Sequence, residues 1–366
     1  MRLERLELWG FRNYETLTAD FDPGVNLILG DNAQGKTNLL EAMVYLSTGK
    51  SFRTRKEQEL IQFGAEFAEL RAKVEDNARE QSLRAVLFSG RRPRQLYLNE
   101  VKKKTAGEVM GVLNTVLFCP EDLLILKTGA SARRKFLDGA LGPLRPNYDR
   151  ALTEYGRLLD QKSRILKDRF DFPQYLEVLP EYSQRMCQVG ALLISYRARF
   201  LKSLGEEAQR YHREFTGGKE TLDIGYKTVS NIEDPFVPVE ELTELLSRHM
   251  ESHKKAELET GQCLSGPHKD DFDVSLDGIS LKSFGSQGQV RTAAISLKLA
   301  QRELYRREFG EEPVLLLDDV LSELDARRQD FVLNELGSGQ VFITCCEKGR
   351  LTRAGKTIEI ADGHIV

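Results

Sequence analysis

The chain has 366 residues, 40% of them hydrophobic and 30% charged, and its formal net charge is −3. This length suits two domains or one large domain with an insertion. The slightly negative charge excludes a global positive field of the kind that draws nucleic acid to a protein, so any basic contact surface must be local.

The N-terminus and the cysteines indicate the compartment of the chain. The first residues mix acid with base and lack the apolar core of a secretory signal, and no apolar stretch approaches the length of a membrane span. The five cysteines form no C-x-x-C pair. Two of them, Cys345 and Cys346, follow an apolar run, which indicates buried thiols in a reducing compartment. We therefore expect a soluble cytoplasmic protein without a membrane partner.

Residues 30–37 read GDNAQGKT and fit G-x-x-x-x-G-K-[ST], the phosphate-binding loop of nucleoside triphosphatases. The run 25–29 before it is typical of a strand, and residues 38–43 after it favour a helix. Lys36 is expected to reach the β- and γ-phosphates, and the Thr37 hydroxyl to ligate Mg²⁺. The order of strand, loop and helix disfavours the alternative, a chance glycine-rich turn before a lysine. The predicted nucleotide-binding residues here are Gly30, Asp31, Asn32, Ala33, Gln34, Gly35, Lys36, Thr37 and Asn38.

Three local clusters of basic residues follow the loop, and each is either an ordinary solvated surface or a contact for DNA phosphates. No recognition helix, finger or aromatic stacking motif accompanies them, so binding of single- or double-stranded DNA is expected to be independent of base sequence. The predicted DNA-contacting residues are Arg53, Arg55, Lys56, Arg91, Arg92, Arg94, Lys102, Lys103, Lys104, Arg133 and Arg134.

From residue 127 to residue 264 the sequence changes to long helical stretches punctuated by proline and glycine. Helices are predicted over 147–169, 181–215 and 239–259, and a strand over 223–227. We therefore predict an inserted, mainly helical second lobe at 127–264, with the head formed by residues 1–126 and 265–366.

The segment from His268 to Asp273 invites two interpretations. Asp271 and Asp273 share one face of a strand, a pairing that a metal-dependent nuclease would use. The favoured interpretation is an acidic strand near a charged interface, because the sequence offers no second cluster of metal ligands.

Residues 286–289 read SQGQ and precede a helix that is predicted over 292–307. Alone, such a segment is a polar turn that caps a helix. Its position changes the interpretation, because a strand that carries two carboxylates follows this helix directly.

That strand, residues 314–317, consists of four aliphatic residues and ends in Asp318 and Asp319. Asp318 is expected to associate with Mg²⁺ at the carboxyl end of the strand, and Asp319 to polarise the attacking water. The alternative is a buried strand that leaves the core with two solvated acids. Because this strand and the phosphate loop must meet in one sheet, the long chain between them must leave the domain and return.

The chain contains five features in a fixed order: the phosphate loop, a long insertion, a polar loop followed by a helix, a Leu-rich strand that ends in two acids, and the segment SELD at 322–325. This order resembles that of the ABC-type ATPases. Further segments resemble the RecF family of recombination-mediator ATPases within that class. Those segments are LWGFRNY at 8–14, SFR at 51–53, PEDL at 120–123, GPHKDD at 266–271 and SQGQ at 286–289. The resemblance implies an α/β fold: an ABC-type P-loop ATPase head, lobe I, of mixed β-sheets with helices, carrying the inserted lobe II.

In ABC-type ATPases the SQGQ-like segment, the signature loop, contacts the nucleotide of a second subunit. The resemblance therefore implies that Ser286, Gly288 and Gln289 act in trans and that ATP drives a head-to-tail homodimer that clamps DNA. It also implies that Asp325 lies along the same interface. Arg12, Asn13 and Tyr14 match the segment that contacts the nucleotide base in relatives.

The resemblance further implies weak, DNA-stimulated ATP hydrolysis that releases the clamp. Transporter ATPases carry Glu where this chain has Asp319, and the shorter side chain suits slow turnover. Residues 344–347 read TCCE, without the histidine that those enzymes use to sense the γ-phosphate. The function implied is repair at gapped or junction DNA, with RecR, RecO and the RecA recombinase as partners.

Three other functions remain as alternatives. A transporter subunit would need a groove for membrane helices and seldom has so long an insertion. A fragment of a chromosome-organising ATPase is disfavoured by the modest helix lengths, and a nuclease would need a further acidic domain. GTP specificity is not expected, because no N-K-x-D-like motif is present.

Overall fold

The structure, a computed structural model, describes residues 1–54, 56–76, 78–335, 339–346 and 355–366. Its strands in chain order are β1 (Arg2–Phe11), β2 (Tyr14–Asp20), β3 (Val25–Leu29), β4 (Phe67–Glu75), β5 (Glu80–Phe88), β6 (Gln95–Leu98), β7 (Val101–Lys103), β8 (Thr115–Phe118), β9 (Leu222–Lys227), β10 (Asp271–Leu276), β11 (Ile279–Ser280), β12 (Val314–Asp318), β13 (Val341–Cys345), β14 (Lys356–Ala361) and β15 (His364–Ile365). Its α-helices are α1 (Lys36–Thr48), α2 (Ala130–Leu144), α3 (Pro146–Lys167), α4 (Leu179–Thr216), α5 (Val239–Thr260), α6 (Leu281–Phe284), α7 (Gln287–Phe309) and α8 (Ala326–Glu335).

The chain divides into two compact units. The first contains residues 1–123 and 298–366, and the second contains residues 124–297. The second boundary falls inside α7, whereas the sequence predicted a lobe that ends at residue 264. The chain after 264 belongs to the second unit because β10 pairs with β9, from Asp271 opposite Lys227 to Leu276 opposite Leu222. The predicted domain bounds themselves stay a prediction.

Among the described residues, the first unit contains two six-stranded sheets. One is antiparallel with the order β2-β1-β4-β5-β6-β7, and its strand β4 alternates buried and exposed residues, as expected when one face meets the core. The other has the order β15-β14-β3-β13-β12-β8, in which β14, β3, β13, β12 and β8 are parallel. In β12 all five residues are buried, which is typical of a central parallel strand.

Helix α1 contacts strands of both sheets and is buried along most of its length. Leu40 and Met43 on this helix join the same core cluster as Leu70 of the antiparallel sheet and Leu316 and Phe342 of the parallel sheet. Removing a large side chain here would leave a cavity and cost about 2–5 kcal/mol of the free energy of unfolding. The core therefore fixes the start of α1 against the carboxyl ends of β3 and β12.

The second unit is mainly helical. Helix α4 packs against α3, α5 and β9, and α2 packs against α3 and β10. The predicted helices and strand are confirmed, with ends within two residues of those observed in α3, α4, α5 and β9. Within the described ranges, no helix combines the length and the apolar composition needed to cross a bilayer.

Candidate nucleotide-binding site

The phosphate loop connects β3 to α1 in the first unit, as predicted. Gly30 has φ 155° and Gly35 has φ 122°, values that side-chain-bearing residues rarely adopt. A Cβ on Gly30 would lie 2.3 Å from the carbonyl oxygen of Ile360, and a Cβ on Gly35 would lie 2.8 Å from Asn13 Nδ2. Gly35 caps α1 without a side-chain hydrogen bond, so the first N–H groups of the helix stay available to phosphate oxygens.

Lys36 is buried, with 4% of its surface exposed, and its ammonium group lies inside the loop. The Nζ donates to the carbonyl oxygens of Gly30 at 2.6 Å and Asp31 at 3.2 Å, and it lies 3.3 Å from Cys346 Sγ. Carbonyl oxygens hold the ammonium without neutralising it. The group is therefore placed to exchange these contacts for phosphate oxygens.

Thr37 and Asp318 meet although they are far apart in the sequence. The Thr37 hydroxyl donates to Asp318 Oδ1 at 3.0 Å, and the Thr344 hydroxyl donates to the same oxygen at 2.9 Å. Thr344 Oγ1 also accepts the N–H of Asp319 at 2.8 Å. This pairing follows from the sheet, because Asp318 lies opposite Thr344 in the parallel register of β12 and β13.

The donors at this point fit Mg²⁺, which prefers hard oxygen ligands such as a hydroxyl and a carboxylate. Burial raises the pKa of Asp318 above its usual value, opposed by the hydrogen bonds from Thr344 and Thr37 and reinforced by the charge of Asp319. A cation at this place would favour the ionised carboxylate. The structure thus brings together Thr37 and Asp318, the two residues predicted to hold the metal.

Asp319 directly follows the strand and has φ 50°, in the left-handed region. Aspartate tolerates this conformation better than most residues. Its backbone N–H is held by Thr344, and its carbonyl oxygen accepts the hydroxyl of Ser322 at 2.6 Å. The backbone that carries the predicted water-polarising carboxylate is therefore fixed on both sides.

Asn13 supports the outer side of the loop. Its Nδ2 donates to the carbonyl oxygen of Gln34 at 2.9 Å, and its Oδ1 accepts from Asn38 Nδ2 at 2.8 Å. The buried Tyr14 donates to the carbonyl oxygen of Gly35 at 2.9 Å. These contacts hold the loop in its curled shape, a role that the sequence did not predict for Tyr14.

Arg12 pairs in bidentate fashion with Glu41 on α1, with both N···O distances 2.8 Å. Glu41 is fully buried and also accepts from Ser51 and Arg53. In this structure Arg12 therefore ties the β1–β2 turn to the helix behind the loop. Its predicted contact with the base of the nucleotide stays a prediction, as does that of Asn13.

The signature segment lies in the second unit, at the start of α7. The N–H of Gln289 donates to Ser286 Oγ at 3.2 Å, and the N–H of Ser286 donates to Gln289 Oε1 at 3.0 Å. This reciprocal pair is a capping box. Ser286 is exposed, and the carbonyl oxygen of Gly288 accepts from Thr292 at 2.9 Å. The trans contact predicted for this segment stays a prediction.

Asp325 is exposed and caps α8. Its Oδ1 accepts the N–H of Arg328 at 3.0 Å, and its carboxylate also pairs with the guanidinium of Arg328. The N–H of Arg328 is the largest cause that lowers the pKa of Asp325 below its usual value. The side chain thus starts the helix that follows the site, and its place at a dimer interface stays a prediction.

The basic residues predicted to contact DNA divide into exposed and engaged groups. Lys56, Arg91, Arg92, Lys102 and Lys104 are exposed, and Lys103 is half-buried. Arg53 is also exposed, and it donates to Asn38 Oδ1 at 2.7 Å. Arg94 is half-buried and donates to Tyr45, Gly49 and Glu57. Arg55 lies outside the described residues.

The prediction that Arg133 contacts DNA is wrong for this structure. Its side chain is buried and pairs with both oxygens of Asp271, at 2.6 and 2.9 Å, and with two carbonyl oxygens. Arg134 is half-buried and donates to the carbonyl oxygen of Asp270 at 2.7 Å. A buried guanidinium with four acceptors stabilises the fold, since moving it to solvent would leave Asp271 without its cation.

The acidic segment before and within β10 is likewise structural. Asp270 is buried and pairs with Arg197 at 2.8 Å, while Asp273 accepts from Ser280 at 2.9 Å. No group of histidine, cysteine and acidic side chains that could hold a metal ion occurs within the described ranges. The nuclease interpretation therefore gains no support here.

Cys346 has an unexpected position. The expectation of a buried thiol is wrong for this residue, which is exposed and lies beside Lys36 and Asn32 at the mouth of the loop. One signal for this position was present in the sequence, because residues 344–347 occupy the place of a phosphate-sensing segment; Glu347 lies outside the described residues. Thr344 and Cys346 are thus site residues that the predicted set omitted.

This position makes Cys346 a reporter of nucleotide binding. We expect saturating Mg-ATP to slow the alkylation of Cys346 by N-ethylmaleimide about tenfold or more, because phosphates bound to Lys36 would cover the thiol. Labelling followed by peptide mass spectrometry measures the rate, and Cys346→Ser identifies the signal. Equal alkylation rates with and without Mg-ATP would show that the nucleotide does not occupy this loop.

Comparisons with known proteins agree with the geometry. The family model described as RecF/RecN/SMC N terminal domain matches residues 2–364. The chain is 38% identical over 349 residues to the DNA replication and repair protein RecF of Clostridium kluyveri, covering 94% of this chain and 93% of that protein. It is 40% identical over 345 residues to the protein of that name from Agathobacter rectalis, covering 94% and 92%.

Solved structures give the same result. The structure of the recombination mediator protein RecF with ATP, in the RecFOR pathway, is similar with a TM-score of 0.91 at 33% identity, covering 100% of this chain and 96% of that chain. The Smc head domain of Pyrococcus furiosus shares the fold, with a TM-score of 0.56 at 18% identity and coverage of 100% and 95%. The predicted ABC-type head fold is confirmed.

Proposed function

The chain belongs to the RecF family of DNA replication and repair proteins, and from this premise we propose that it is an ATP-dependent DNA clamp of recombinational repair. In this proposal ATP binding joins two copies head to tail around DNA, and slow hydrolysis releases them. The bound nucleotide acts as a clamp ligand. Its hydrolysis serves release, and no other substrate is transformed.

The observation that carries the proposal is the assembly of Lys36, Thr37 and Asp318 around one loop, with the Thr37 hydroxyl 3.0 Å from Asp318. Lys36 would exchange the carbonyl oxygens of Gly30 and Asp31 for the β- and γ-phosphates. Thr37 and Asp318 would hold Mg²⁺, Asp318 through water. When bound, this ion neutralises the charge that develops on the transferred phosphoryl group.

Asp319 would orient the attacking water from the left-handed backbone position that Thr344 holds. Its carboxylate is one methylene shorter than glutamate, so its reach toward the water is limited. Slow hydrolysis gives the dimer a long lifetime on DNA, which suits a clamp better than a motor.

We expect Asp319→Asn to preserve ATP binding and ATP-dependent dimerisation but to lower the hydrolysis rate about 100-fold, because an amide cannot accept the proton of the water. The variant should also stay on DNA longer than the unchanged protein after ATP is added. Phosphate release and the lifetime of the DNA complex are the two measurements. Asp330→Asn, an exposed change on α8, is the control; wild-type hydrolysis by Asp319→Asn would refute the assignment.

Support for DNA binding comes from an exposed basic edge of the antiparallel sheet. In the β6–β7 hairpin Lys103 lies opposite Leu96, so Lys104 lies at the same end as the loop of Arg91 and Arg92. Arg92 stacks on Phe88, with the guanidinium carbon 4.2 Å from the ring centroid. These side chains suit phosphate contacts with little dependence on base sequence.

The remaining parts of the proposal rest on family membership. They are a preference for gapped or junction DNA, action with RecR and RecO to load RecA, and a cytoplasmic location. Solved relatives are described as recombination mediators of the RecFOR pathway, which supports this role.

A further inference from the structure

The turn that starts α7 is attached to the rest of the second unit through the carboxamide of Gln289. Its Oε1 accepts the N–H of Ser286 at 3.0 Å, and its Nε2 donates to Glu220 Oε1 at 2.9 Å. Reversing the carboxamide would place its NH₂ against an N–H donor and its oxygen against a carboxylate. The two partners therefore define the orientation of the amide.

Glu220 lies between α4 and β9, and a second contact orients it. Its Oε2 is 3.1 Å from Nε2 of His212, a fully buried residue of α4. A carboxylate can only accept, so the proton of the imidazole belongs on Nε2. A chain of contacts thus runs from α4 through His212, Glu220 and Gln289 to the backbone of Ser286.

This series of contacts gives Gln289 and Ser286 different roles within the signature segment. The carboxamide of Gln289 is used twice inside its own subunit. Ser286, by contrast, is exposed, its Oγ accepts the N–H of Gln289, and its hydroxyl proton has no acceptor in the described part of the chain. A hydroxyl proton is a donor that suits a phosphate oxygen.

We propose that Glu220, oriented by His212, is a positioning residue that holds Gln289 and thereby presents the Ser286 hydroxyl to the terminal phosphate bound by a second subunit. This proposal rests on the proposed function. Gln289 acts through Ser286, whereas the sequence predicted that Gln289 itself contacts the nucleotide.

Variants that add a carboxylate at position 289, and then exchange the amide and the carboxylate between positions 289 and 220, test the proposal. Gln289→Glu keeps the capping box, because glutamate serves at this position, but it sets two carboxylates against each other. We expect it to weaken ATP-dependent dimerisation about tenfold or more, while ATP binding by the monomer stays within about twofold. Sedimentation velocity with Mg-ATP measures the first quantity, and fluorescent ATP at low protein concentration measures the second.

The double variant Glu220→Gln with Gln289→Glu should recover most of the dimerisation, because the new amide at 220 donates to the new carboxylate at 289. Glu220→Gln alone should have a smaller effect than Gln289→Glu, because its amide oxygen still accepts from Gln289 and the imidazole of His212 can carry its proton on Nδ1 instead of Nε2. Glu214→Ala, on the same helix as His212 but paired with Arg210, is the matched control.

The result that overturns the inference is normal dimerisation by Gln289→Glu, or an impaired double variant that regains nothing while circular dichroism shows it folded. If Ser286→Arg still abolishes dimerisation in that case, the proposed function survives and only the positioning role fails. If Ser286→Arg also dimerises normally, the proposed clamp fails as well.

Discussion

Replacing Lys36 with arginine is expected to reduce ATP affinity about 100-fold and to abolish ATP-dependent dimerisation. The ammonium is almost fully buried and lies 2.6 Å from the Gly30 carbonyl oxygen, a space shaped for a compact point charge. Arginine keeps the positive charge but brings a planar, wider group that this loop cannot accommodate without moving. The loss therefore arises from geometry as well as from charge.

The measurements for Lys36→Arg are nucleotide affinity, from titration with fluorescent ATP, and mass in solution with Mg-ATP. Lys356→Arg provides the control in the same unit, because Lys356 lies on β14 and its Nζ donates to the carbonyl oxygen of Asp20. We expect the control to bind ATP and dimerise normally. Unchanged dimerisation of Lys36→Arg would refute the role assigned to the loop.

Ser286→Arg is expected to leave ATP binding by the monomer intact and to abolish dimerisation. Ser286 is exposed at the start of α7, and in the proposed dimer a long cation here would fill the space that the partner's nucleotide requires. Loss of the cap costs about 1 kcal/mol of helix stability, too little to unfold the second unit. Ser286→Thr keeps a capping hydroxyl and should dimerise. Its normal dimerisation would show that the failure of Ser286→Arg comes from the lost hydroxyl and the added cation, because any substitution at this position would otherwise have the same effect.

Mixing the two variants tests action in trans. A heterodimer of Lys36→Arg and Ser286→Arg contains one intact loop facing one intact serine turn. Mg-ATP should therefore produce partial association in the mixture, whereas neither variant associates alone. If the mixture shows no more association with Mg-ATP than the two variants show separately, or if Ser286→Arg alone forms dimers, the trans contact is disproved.

The sequence predicted the parts of the site that depend on local pattern. The loop 30–37, the acidic end of β12 and the long helices α3, α4 and α5 all have signals within one segment, and the structure contains them. Patterned glycines, a continuous aliphatic strand and helical periodicity are properties of neighbouring residues, so they can be recognised without the fold.

Contacts across the fold could not be predicted in the same way. Thr344 joins Asp318 only through the parallel register of β12 and β13, and Tyr14 reaches the loop only after the first hairpin packs. Arg133 looked like part of a basic surface because its acidic partner, Asp271, is distant in the sequence. The link between Glu220 and Gln289 is of the same kind.

In the proposed mechanism, ATP is held between two copies of this chain. Sedimentation velocity of the unchanged protein, at saturating Mg-ATP with and without DNA, measures this association. We expect a monomer without nucleotide and a dimer with it. A chain that remains monomeric with Mg-ATP, both alone and with gapped duplex DNA, would rule out the proposed clamp.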